Sequence, residues 1–282
     1  MIYLNGSYLP EQNAKIECSD RGFLLGDGIF ETLRVYNGIV SCLSDHYTRL
    51  KQSANYLGLP FTLLLSEIED IISTLLVMNK LDQDDATLRI TLSRGIGPRG
   101  LLPPNKTKVT CMMTVFPFLK KEVRPLDTLI ANIRRNELSP LSNIKSLCYL
   151  DNIMARQFAE QRGADECIML NTQGRVACAS AANIFIVARK GIITPPLDEG
   201  VLPGITRKII LKLCEINDIP VFEEKIFVTD LMEAKEIFFT NRLIEIQPVK
   251  KVNNKLINKG GTGEFTLKIQ DKYKNYIEKF LR

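Results

Sequence analysis

A charged stretch between two prolines, from Pro117 to Pro125, is the feature that most limits how this chain can fold. Its residues, Phe-Leu-Lys-Lys-Glu-Val-Arg, show no apolar period, so it cannot present a buried face as a helix or a strand. The chain has 282 residues, enough for two ordinary domains. We therefore predict a small N-terminal domain over residues 1–118, a linker over 119–125 and a larger C-terminal domain over 126–282.

Both predicted domains mix strands with helices. In the first, strand patterns occupy about 40 N-terminal residues, and Asn5-Gly6 favours the positive φ angles of a tight hairpin. Apolar residues at helical spacing then predict helices near 44–58 and 66–79. In the second, strands fill the middle, with one helix expected over residues 147–161 and another opening at Pro203. The expected fold class is α+β.

Composition excludes several kinds of site. His46 is the only histidine, which rules out a multi-histidine metal site. The seven cysteines form no Cys-X-X-Cys pair, which is typical of reduced thiols in a cytosolic protein. A net charge of +5, spread along the chain, gives little reason to expect nucleic-acid binding. Apolar runs fall far short of the roughly 20 residues that span a bilayer. We expect a soluble cytoplasmic enzyme that uses no metal and acts on a small molecule.

Two segments could carry chemistry through their residue types alone. A lysine held in apolar surroundings, as Lys145 would be, can act as a nucleophilic amine that forms a Schiff base. Gly204-Ile205-Thr206-Arg207 opens a predicted helix, and the N–H groups of a helix start can bind phosphate. Without further context, a surface lysine and an ordinary helix start are the simpler interpretations.

Five segments in chain order resemble a single enzyme family. They are Asp20–Thr32, His46–Leu50, Ile144–Leu147, Gly174–Phe185 and Pro203–Arg207, and the segment Thr240–Val249 also fits. The chain is similar in them to the fold-type IV pyridoxal-phosphate enzymes, which include branched-chain and D-amino-acid aminotransferases and 4-amino-4-deoxychorismate lyase. The resemblance implies a two-domain α+β fold like that of the D-amino-acid aminotransferases, with pyridoxal 5'-phosphate as cofactor.

The resemblance also implies a role for each matching residue. Lys145, in the predicted C-terminal domain, matches the lysine that binds the cofactor covalently and then moves the substrate proton. The residues matching phosphate contacts are Arg49, Ile205, Thr206, Asn241 and Arg242. On the substrate side, Phe30 matches a pocket wall, Arg99 matches a loop arginine that meets the substrate carboxylate in some members, and Leu101 lies two positions beyond it. His46 is expected to be structural.

One departure from the family pattern concerns the cofactor ring. Family members carry a glutamate that keeps the pyridine nitrogen protonated, so that the ring can accept electrons. Cys178 stands at that position, and a thiol is a weak partner for a pyridinium. Three explanations are open: another acid replaces it in space, the enzyme works with a less electrophilic ring, or the chain is a slow or inactive relative. Glu166 belongs to the preceding predicted strand, and nothing in the sequence places it at the ring.

The resemblance is greatest to the lyase, in the strand Gly28–Val35, the loop Arg94–Pro104 and the segment Asn241–Val249. Against the lyase, Leu101 replaces its usual tyrosine and Cys148 an asparagine. D-amino-acid aminotransferases carry a histidine at the position of Leu101, and branched-chain aminotransferases fit the strand around Phe30 less well. We predict a lyase that forms 4-aminobenzoate and pyruvate for folate synthesis. An aminotransferase of D- or branched-chain amino acids, or an impaired relative that only binds an anion, remains an alternative.

The family resemblance further implies a homodimer. Two apolar segments with glycine neighbours, Phe23–Leu25 and Leu101-Leu102, look exposed, and such patches tend to be covered by a partner. We expect no nucleic-acid or membrane partner.

Overall fold

The computed structural model describes residues 1–120 and 122–280, which divide into two compact units. The first unit comprises Met1–Lys120 together with Ile144–Cys148, and the second comprises residues 122–143 and 149–280. Lys121, within the predicted linker, lies outside the described residues. The segment Ile144–Cys148, which falls in the predicted C-terminal domain, is thus grouped with the first unit. The linker at 119–125 stays a prediction.

The first unit is built on an antiparallel sheet of six strands among the residues described, in the order β2-β1-β6-β5-β3-β4. Apolar residues of its two long helices and its central strands form one buried cluster that includes Leu33, Leu50, Ile72 and Leu88. Its elements are β1 (Ile2–Leu4), β2 (Ser7–Leu9), α1 (Arg21–Leu25), β3 (Gly28–Tyr36), β4 (Ile39–Val40), α2 (Leu43–Tyr56), α3 (Leu65–Met78), β5 (Ala86–Ser93) and β6 (Thr110–Pro117).

Local sequence explains most of these elements. Asn5 and Gly6 both adopt positive φ angles in the β1–β2 turn, as the dipeptide predicts. The two expected helices are confirmed as α2 and α3. The expectation of strands alone before residue 40 is wrong at α1, where the Asp20 carboxylate caps the helix and Gly26 ends it with a left-handed backbone.

The second unit is built on a mixed sheet of nine strands within the described ranges, in the order β12-β11-β10-β13-β14-β7-β8-β9, with β15 beside β14. Aliphatic residues such as Ile184, Ile237 and Val249 form a buried cluster there. Its elements are β7 (Leu126–Arg135), α4 (Leu150–Glu160), β8 (Glu166–Asn171), β9 (Val176–Ala179), β10 (Asn183–Ala188), β11 (Gly191–Thr194), α5 (Ile205–Ile216), β12 (Val221–Glu223), α6 (Val228–Glu233), β13 (Glu236–Asn241), β14 (Glu245–Val252), β15 (Lys255–Leu256) and α7 (Glu264–Phe280).

The helix expected from residue 147 begins later than predicted, at Leu150. The preceding segment instead pairs with β3: the Phe30 N–H donates to the Lys145 carbonyl at 2.9 Å, and the Leu147 N–H donates to the Gly28 carbonyl at 2.9 Å. A bridge between Ile29 and Ser146 lies between these bonds. Extended pairing therefore holds the backbone of Lys145, and the helix can start only after it.

Both sheets are accompanied by helices, so the predicted α+β class is confirmed. None of the helices within residues 1–120 and 122–280 is long and apolar enough to cross a membrane.

Candidate functional site

Lys145 lies beside an aromatic ring in the first unit. Its Nζ atom is 4.2 Å from the centroid of the Phe30 ring, and the guanidinium carbon of Arg89 is 3.9 Å from the same centroid. Phe30 is buried, whereas the side chain of Lys145 is partly buried. The structure thus brings together the predicted cofactor lysine and the predicted wall residue, and adds a second cation that the sequence analysis did not single out.

A buried carboxylate next to Phe30 holds Arg49. Glu31 is 1 % exposed and accepts hydrogen bonds from Arg49 Nε at 2.7 Å, Arg49 Nη2 at 2.6 Å and His46 Nδ1 at 2.7 Å. Burial by itself would raise the pKa of Glu31, but the charge of Arg49 and these hydrogen bonds outweigh it and lower the pKa to about 2. Glu31 is therefore ionised at neutral pH and fixes one edge of the Arg49 guanidinium.

The loop Arg94–Pro104 carries the predicted substrate residues Arg99 and Leu101. Both side chains are exposed, Leu101 to 83 %. The backbone of this loop is nevertheless held, because Arg21 donates hydrogen bonds to the carbonyls of Gly100 and Leu101.

In the second unit, the start of α5 carries Ile205 and Thr206. Gly204 precedes the helix without a side-chain cap, and the first helical hydrogen bond runs from the Lys208 N–H to the Gly204 carbonyl. The N–H groups of the first helical turn have no partner within a helix, and the helix dipole makes this end attractive to anions. A Cβ at Gly204 would lie 2.0 Å from Asn183 Oδ1, so only glycine lets the helix start this close to β10.

Two buried hydroxyl groups of the second unit lack a hydrogen-bond partner among the described residues. They are Thr206 Oγ1 and Thr240 Oγ1, and Thr206 is 2 % exposed. Thr240 pairs in the sheet with Asn183, the residue against which Gly204 packs. A buried hydroxyl without a partner costs free energy, which a ligand oxygen bound there would recover. Both the hydroxyls and the helix start suit a phosphate group.

Asn241 and Arg242 follow Thr240 in a well-anchored turn. The Asn241 side chain donates to the Ala181 carbonyl at 3.0 Å and accepts from the N–H groups of Leu243 and Ile244. Arg242 is buried and donates from Nη1 to the Tyr273 hydroxyl at 2.6 Å. Within this unit the structure fixes both residues near the strand pair β10–β13. That Arg49 binds the same phosphate as these residues stays a prediction.

Cys178 lies on β9 and is 8 % exposed. It belongs to a cluster of small apolar and sulfur side chains that includes Ala131, Cys167 and Met169. Burial raises the pKa of Cys178, and Arg135, which lowers it, only partly offsets this effect. The thiol therefore stays neutral at ordinary pH. Glu166 is near enough to contribute to the rise, and its carboxylate accepts from the Cys167 N–H at 2.8 Å.

Sequence reasoning missed Glu31, Arg89, Thr240 and Arg21. One signal was available for Glu31: it is a single carboxylate within the apolar strand Gly28–Leu33, and a buried carboxylate needs cationic partners. No local pattern points to the other three, because their contacts join residues far apart in the chain.

Three proteins with similar sequences carry three different activity names. A provisionally named branched-chain-amino-acid aminotransferase of Methanocaldococcus jannaschii is 36 % identical and covers 99 % of this chain and 97 % of its own length. The aminodeoxychorismate lyase of Bacillus subtilis is 32 % identical, covering 100 % of this chain and 96 % of its own. The D-alanine aminotransferase of Staphylococcus haemolyticus is 30 % identical, covering 98 % of each.

Solved structures agree on the fold. The branched-chain aminotransferase of Thermoproteus uzoniensis, solved with norvaline, is 31 % identical with a TM-score of 0.88, covering 97 % of this chain and 93 % of its own. That of Escherichia coli is 26 % identical with a TM-score of 0.90, covering 95 % and 91 %.

Class IV homologues bind pyridoxal phosphate or its amine form. Another branched-chain aminotransferase was solved with pyridoxamine 5'-phosphate. It is 24 % identical with a TM-score of 0.89, covering 96 % of this chain and 92 % of its own. Residues 28–252 of this chain match the family described as amino-transferase class IV. The resemblance to the fold-type IV enzymes is thereby confirmed, and the chain belongs to the class IV aminotransferase family.

Proposed function

We propose that this protein is a pyridoxal-phosphate-dependent lyase that converts 4-amino-4-deoxychorismate to 4-aminobenzoate and pyruvate. The observation that carries this proposal is the neutral, buried thiol of Cys178 at the position that matches the family's acidic residue. The full-length similarity to an aminodeoxychorismate lyase supports it.

The residues present fit the cofactor. The amine of Lys145 lies beside the Phe30 ring and would hold the cofactor aldehyde covalently. The unpartnered hydroxyl of Thr206 and the N–H groups at the start of α5 suit the phosphate. Arg49, oriented by Glu31, would add a charge-assisted contact to it. Pyridoxal phosphate, when bound, supplies a ring that can accept the electron pair of the bond broken at the substrate carbon.

Lys145 has two tasks in this proposal. Besides holding the cofactor, the Nζ amine would take a proton from the substrate and return one at another atom. Phe30 keeps this amine beside an apolar surface, which limits the water around it. Arg89, near the same ring, gives the site a second positive charge that suits a carboxylate-bearing substrate.

Cys178 favours the lyase over the aminotransferase. A neutral thiol offers no negative charge to hold a proton on the pyridine nitrogen, so the ring accepts electrons less strongly. Transamination depends on that electron acceptance. Elimination from aminodeoxychorismate forms an aromatic ring, and this driving force lets the reaction proceed with a weaker acceptor.

The test compares both reactions in the same preparations of cofactor-loaded protein. Formation of 4-aminobenzoate and transamination of D-alanine and L-leucine are measured in the wild type and in Cys178→Glu. We expect the wild type to prefer the lyase reaction and Cys178→Glu to gain transaminase activity. Cys167→Glu places a carboxylate in the same cluster at a different position and should gain none. Cys178→Ser should keep the wild-type preference. Strong wild-type transamination with negligible lyase activity would overturn the proposal.

An aminotransferase is the second candidate, favoured by the 36 % identity to a branched-chain and 30 % identity to a D-alanine aminotransferase. A relative that binds an anion without catalysis is the third. It would be colourless with pyridoxal phosphate and would form no borohydride-stable adduct.

We propose a cytoplasmic homodimer as the working form. The first unit exposes large apolar side chains on α1 and in the loop after β5, namely Phe23, Leu24, Leu25, Leu101 and Leu102. Exposed apolar patches of this kind are typical of surfaces that a partner covers. Light scattering should give about twice the chain mass of 31.9 kDa. A fully active monomer would contradict this.

A further inference from the structure

A buried arginine on α1 holds the loop that carries Arg99 and Leu101. Arg21 is 4 % exposed, yet its guanidinium reaches this loop, donating from Nη1 to the Gly100 carbonyl at 2.9 Å and from Nη2 to the Leu101 carbonyl at 2.8 Å. The two acceptors belong to consecutive residues directly after Arg99. A single side chain thus fixes the backbone from which Arg99 and Leu101 project.

Further contacts join the base of this loop to α1. The Arg21 N–H donates to the Gly95 carbonyl at 2.9 Å, and a bridge links Asp20 to Ile96. A Cβ at Gly97 would lie 2.6 Å from Arg21 Cδ, so the loop rests directly on the stem of the arginine. The loop is exposed, but its path follows the side chain of Arg21.

Asp27 holds the guanidinium in place. Its Oδ2 atom accepts from Arg21 Nε at 2.8 Å and from Arg94 Nε at 2.8 Å. Burial would raise the pKa of Asp27, but the hydrogen bonds and charges of Arg94 and Arg21 outweigh it and lower the pKa. The carboxylate therefore stays charged and anchors both arginines.

Arg94 provides an internal comparison. It shares the same oxygen of Asp27 and is similarly buried, but its Nη1 and Nη2 atoms donate to the carbonyls of Gly58 and Leu57, at the end of α2. Both arginines are thus held by Asp27. Of the two, Arg21 donates to the segment after Arg99, whereas Arg94 donates to the end of α2.

We propose that Arg21 is a positioning residue that holds the Arg99–Leu101 backbone in the conformation that recognises the substrate carboxylate. This role rests on the proposed function and on the contact with the substrate carboxylate that the family resemblance implies for Arg99. The hydrogen bonds from Arg21 to the loop backbone do not depend on either. An arginine on a loose loop would lose conformational entropy each time it bound a carboxylate, and a loop fixed in advance avoids that cost. Arg21 thereby supports substrate affinity without touching the substrate.

The first experiment uses trypsin, for which Arg99-Gly100 is a cleavage site. A protease must pull the cleaved segment into an extended form, which Arg21 opposes by holding the next two carbonyls. Arg21→Gln should raise the rate of cleavage after Arg99, read by mass spectrometry, by about tenfold. Arg94→Gln loses a comparable buried ion pair and should leave this rate within about twofold of the wild type.

The second experiment measures recognition of the carboxylate. Pyruvate is the product of the proposed lyase reaction and the 2-oxo acid formed from D-alanine, so it serves as a small carboxylate probe whose dissociation constant can be measured for either activity. We expect Arg21→Gln to weaken pyruvate binding, and to raise KM, by about tenfold with little change in kcat or cofactor affinity. Arg94→Gln should change neither, and Arg21→Lys should recover part of the loss.

These outcomes separate the two proposals. Equal cleavage after Arg99 in both variants, or faster cleavage without weaker pyruvate binding, would overturn the role of Arg21. A further outcome is that the lyase reaction is absent while Arg21→Gln, unlike Arg94→Gln, shows faster cleavage and weaker pyruvate binding. In that case the proposed reaction fails and the role of Arg21 stands. Should Arg21→Gln not fold, Arg21→Lys is compared with Arg94→Lys in the same two measurements, with the same outcomes deciding.

Discussion

Two carboxylates of the first unit and two hydroxyls of the second are satisfied to different degrees. In the first, the Glu31 carboxylate is surrounded by Arg49 and His46, and the Asp27 carboxylate by Arg21 and Arg94. In the second, Thr206 and Thr240 bury hydroxyls that have no partner among residues 1–120 and 122–280. These carboxylates thus have cationic partners, whereas the two hydroxyls leave places that a ligand's oxygen atoms can fill. Substitution of Glu31 should therefore mainly change stability, and substitution of Thr206 should mainly change ligand affinity.

Lys145 is the residue of the first unit whose substitution should affect activity most. Its backbone is fixed by β3, and its Nζ atom lies beside the ring of Phe30. Lys145→Ala should lower activity by at least about a thousandfold, because it removes both the covalent attachment and the proton carrier. The visible absorption of the bound cofactor should be lost while the melting temperature stays close to that of the wild type. A borohydride-stable adduct in this variant would refute the assignment.

Glu31 tests the first unit's side of the comparison. Glu31→Gln should lower the free energy of unfolding by about 3–5 kcal/mol, because it removes the buried negative charge that faces the guanidinium of Arg49. Urea unfolding of the cofactor-free protein measures this. Asp165→Asn is the matched control: its partner Arg124 is largely exposed, so the loss there should be below about 1 kcal/mol. Equal losses in both variants would contradict the comparison.

The same carboxylate predicts a dependence on pH. The pKa of Glu31 is lowered from 4.5 to about 2 in the folded protein, so its contribution to stability is fully present above pH 4.5. That contribution is lost as the pH falls from about 4.5 to about 2. The unfolding free energies of the wild type and Glu31→Gln should therefore converge over this range. A constant difference down to pH 2 would show that the folded-state pKa is not lowered.

Arg49 tests whether the first unit also contributes to ligand binding. Arg49→Ala should weaken cofactor binding by about 1.5–3 kcal/mol for each charge-assisted hydrogen bond that it removes, and Arg49→Lys should weaken it less. Equilibrium dialysis against pyridoxal phosphate gives the affinity, and unfolding of the cofactor-free form separates out the effect on Glu31. Unchanged affinity would limit Arg49 to the structural role seen in the first unit.

The smallest effect concerns Thr206. Thr206→Val should weaken cofactor binding by about 1 kcal/mol while leaving the cofactor-free protein no less stable, because the hydroxyl that it removes had no partner. Thr194→Val is the control: the Thr194 hydroxyl donates to the Ile184 carbonyl at 2.7 Å, so its loss should destabilise the protein and leave cofactor affinity unchanged. If both variants behave alike, the start of α5 is an ordinary part of the core.

The sequence predicts those features whose causes are local. Asn5-Gly6 carries its own turn preference, and the apolar spacing within α2, α3 and α5 is sufficient to predict each helix. The predicted start of α4 is wrong because Leu147 pairs with Gly28, and local sequence does not indicate a pairing between residues so far apart in the chain. The contacts of buried charged residues, such as that of Arg49 with Glu31, also join residues that are distant in sequence, so local patterns do not predict them.

For the site, the family motifs point to Lys145, Arg49 and Thr206, whose roles at the cofactor stay predictions. In the structure, Lys145 lies beside Phe30 and Arg49 is bonded to Glu31, while the hydroxyl of Thr206 has no partner among the described residues. The motifs did not lead to Glu31 or Arg21. Both act on other residues rather than on a ligand, and a motif that describes ligand contacts carries little information about such supporting residues.

The pairing of Ile144–Cys148 with β3 also affects how the chain can fold during synthesis. A nascent chain that ends at Lys120 contains all six strands described for the first sheet, but the Phe30 N–H and the Gly28 carbonyl still lack the partners that Lys145 and Leu147 provide. The ribosome must release Cys148 before the first unit can be completed. Translation has by then produced β7, the first strand of the second sheet, so maturation of the two sheets overlaps in time.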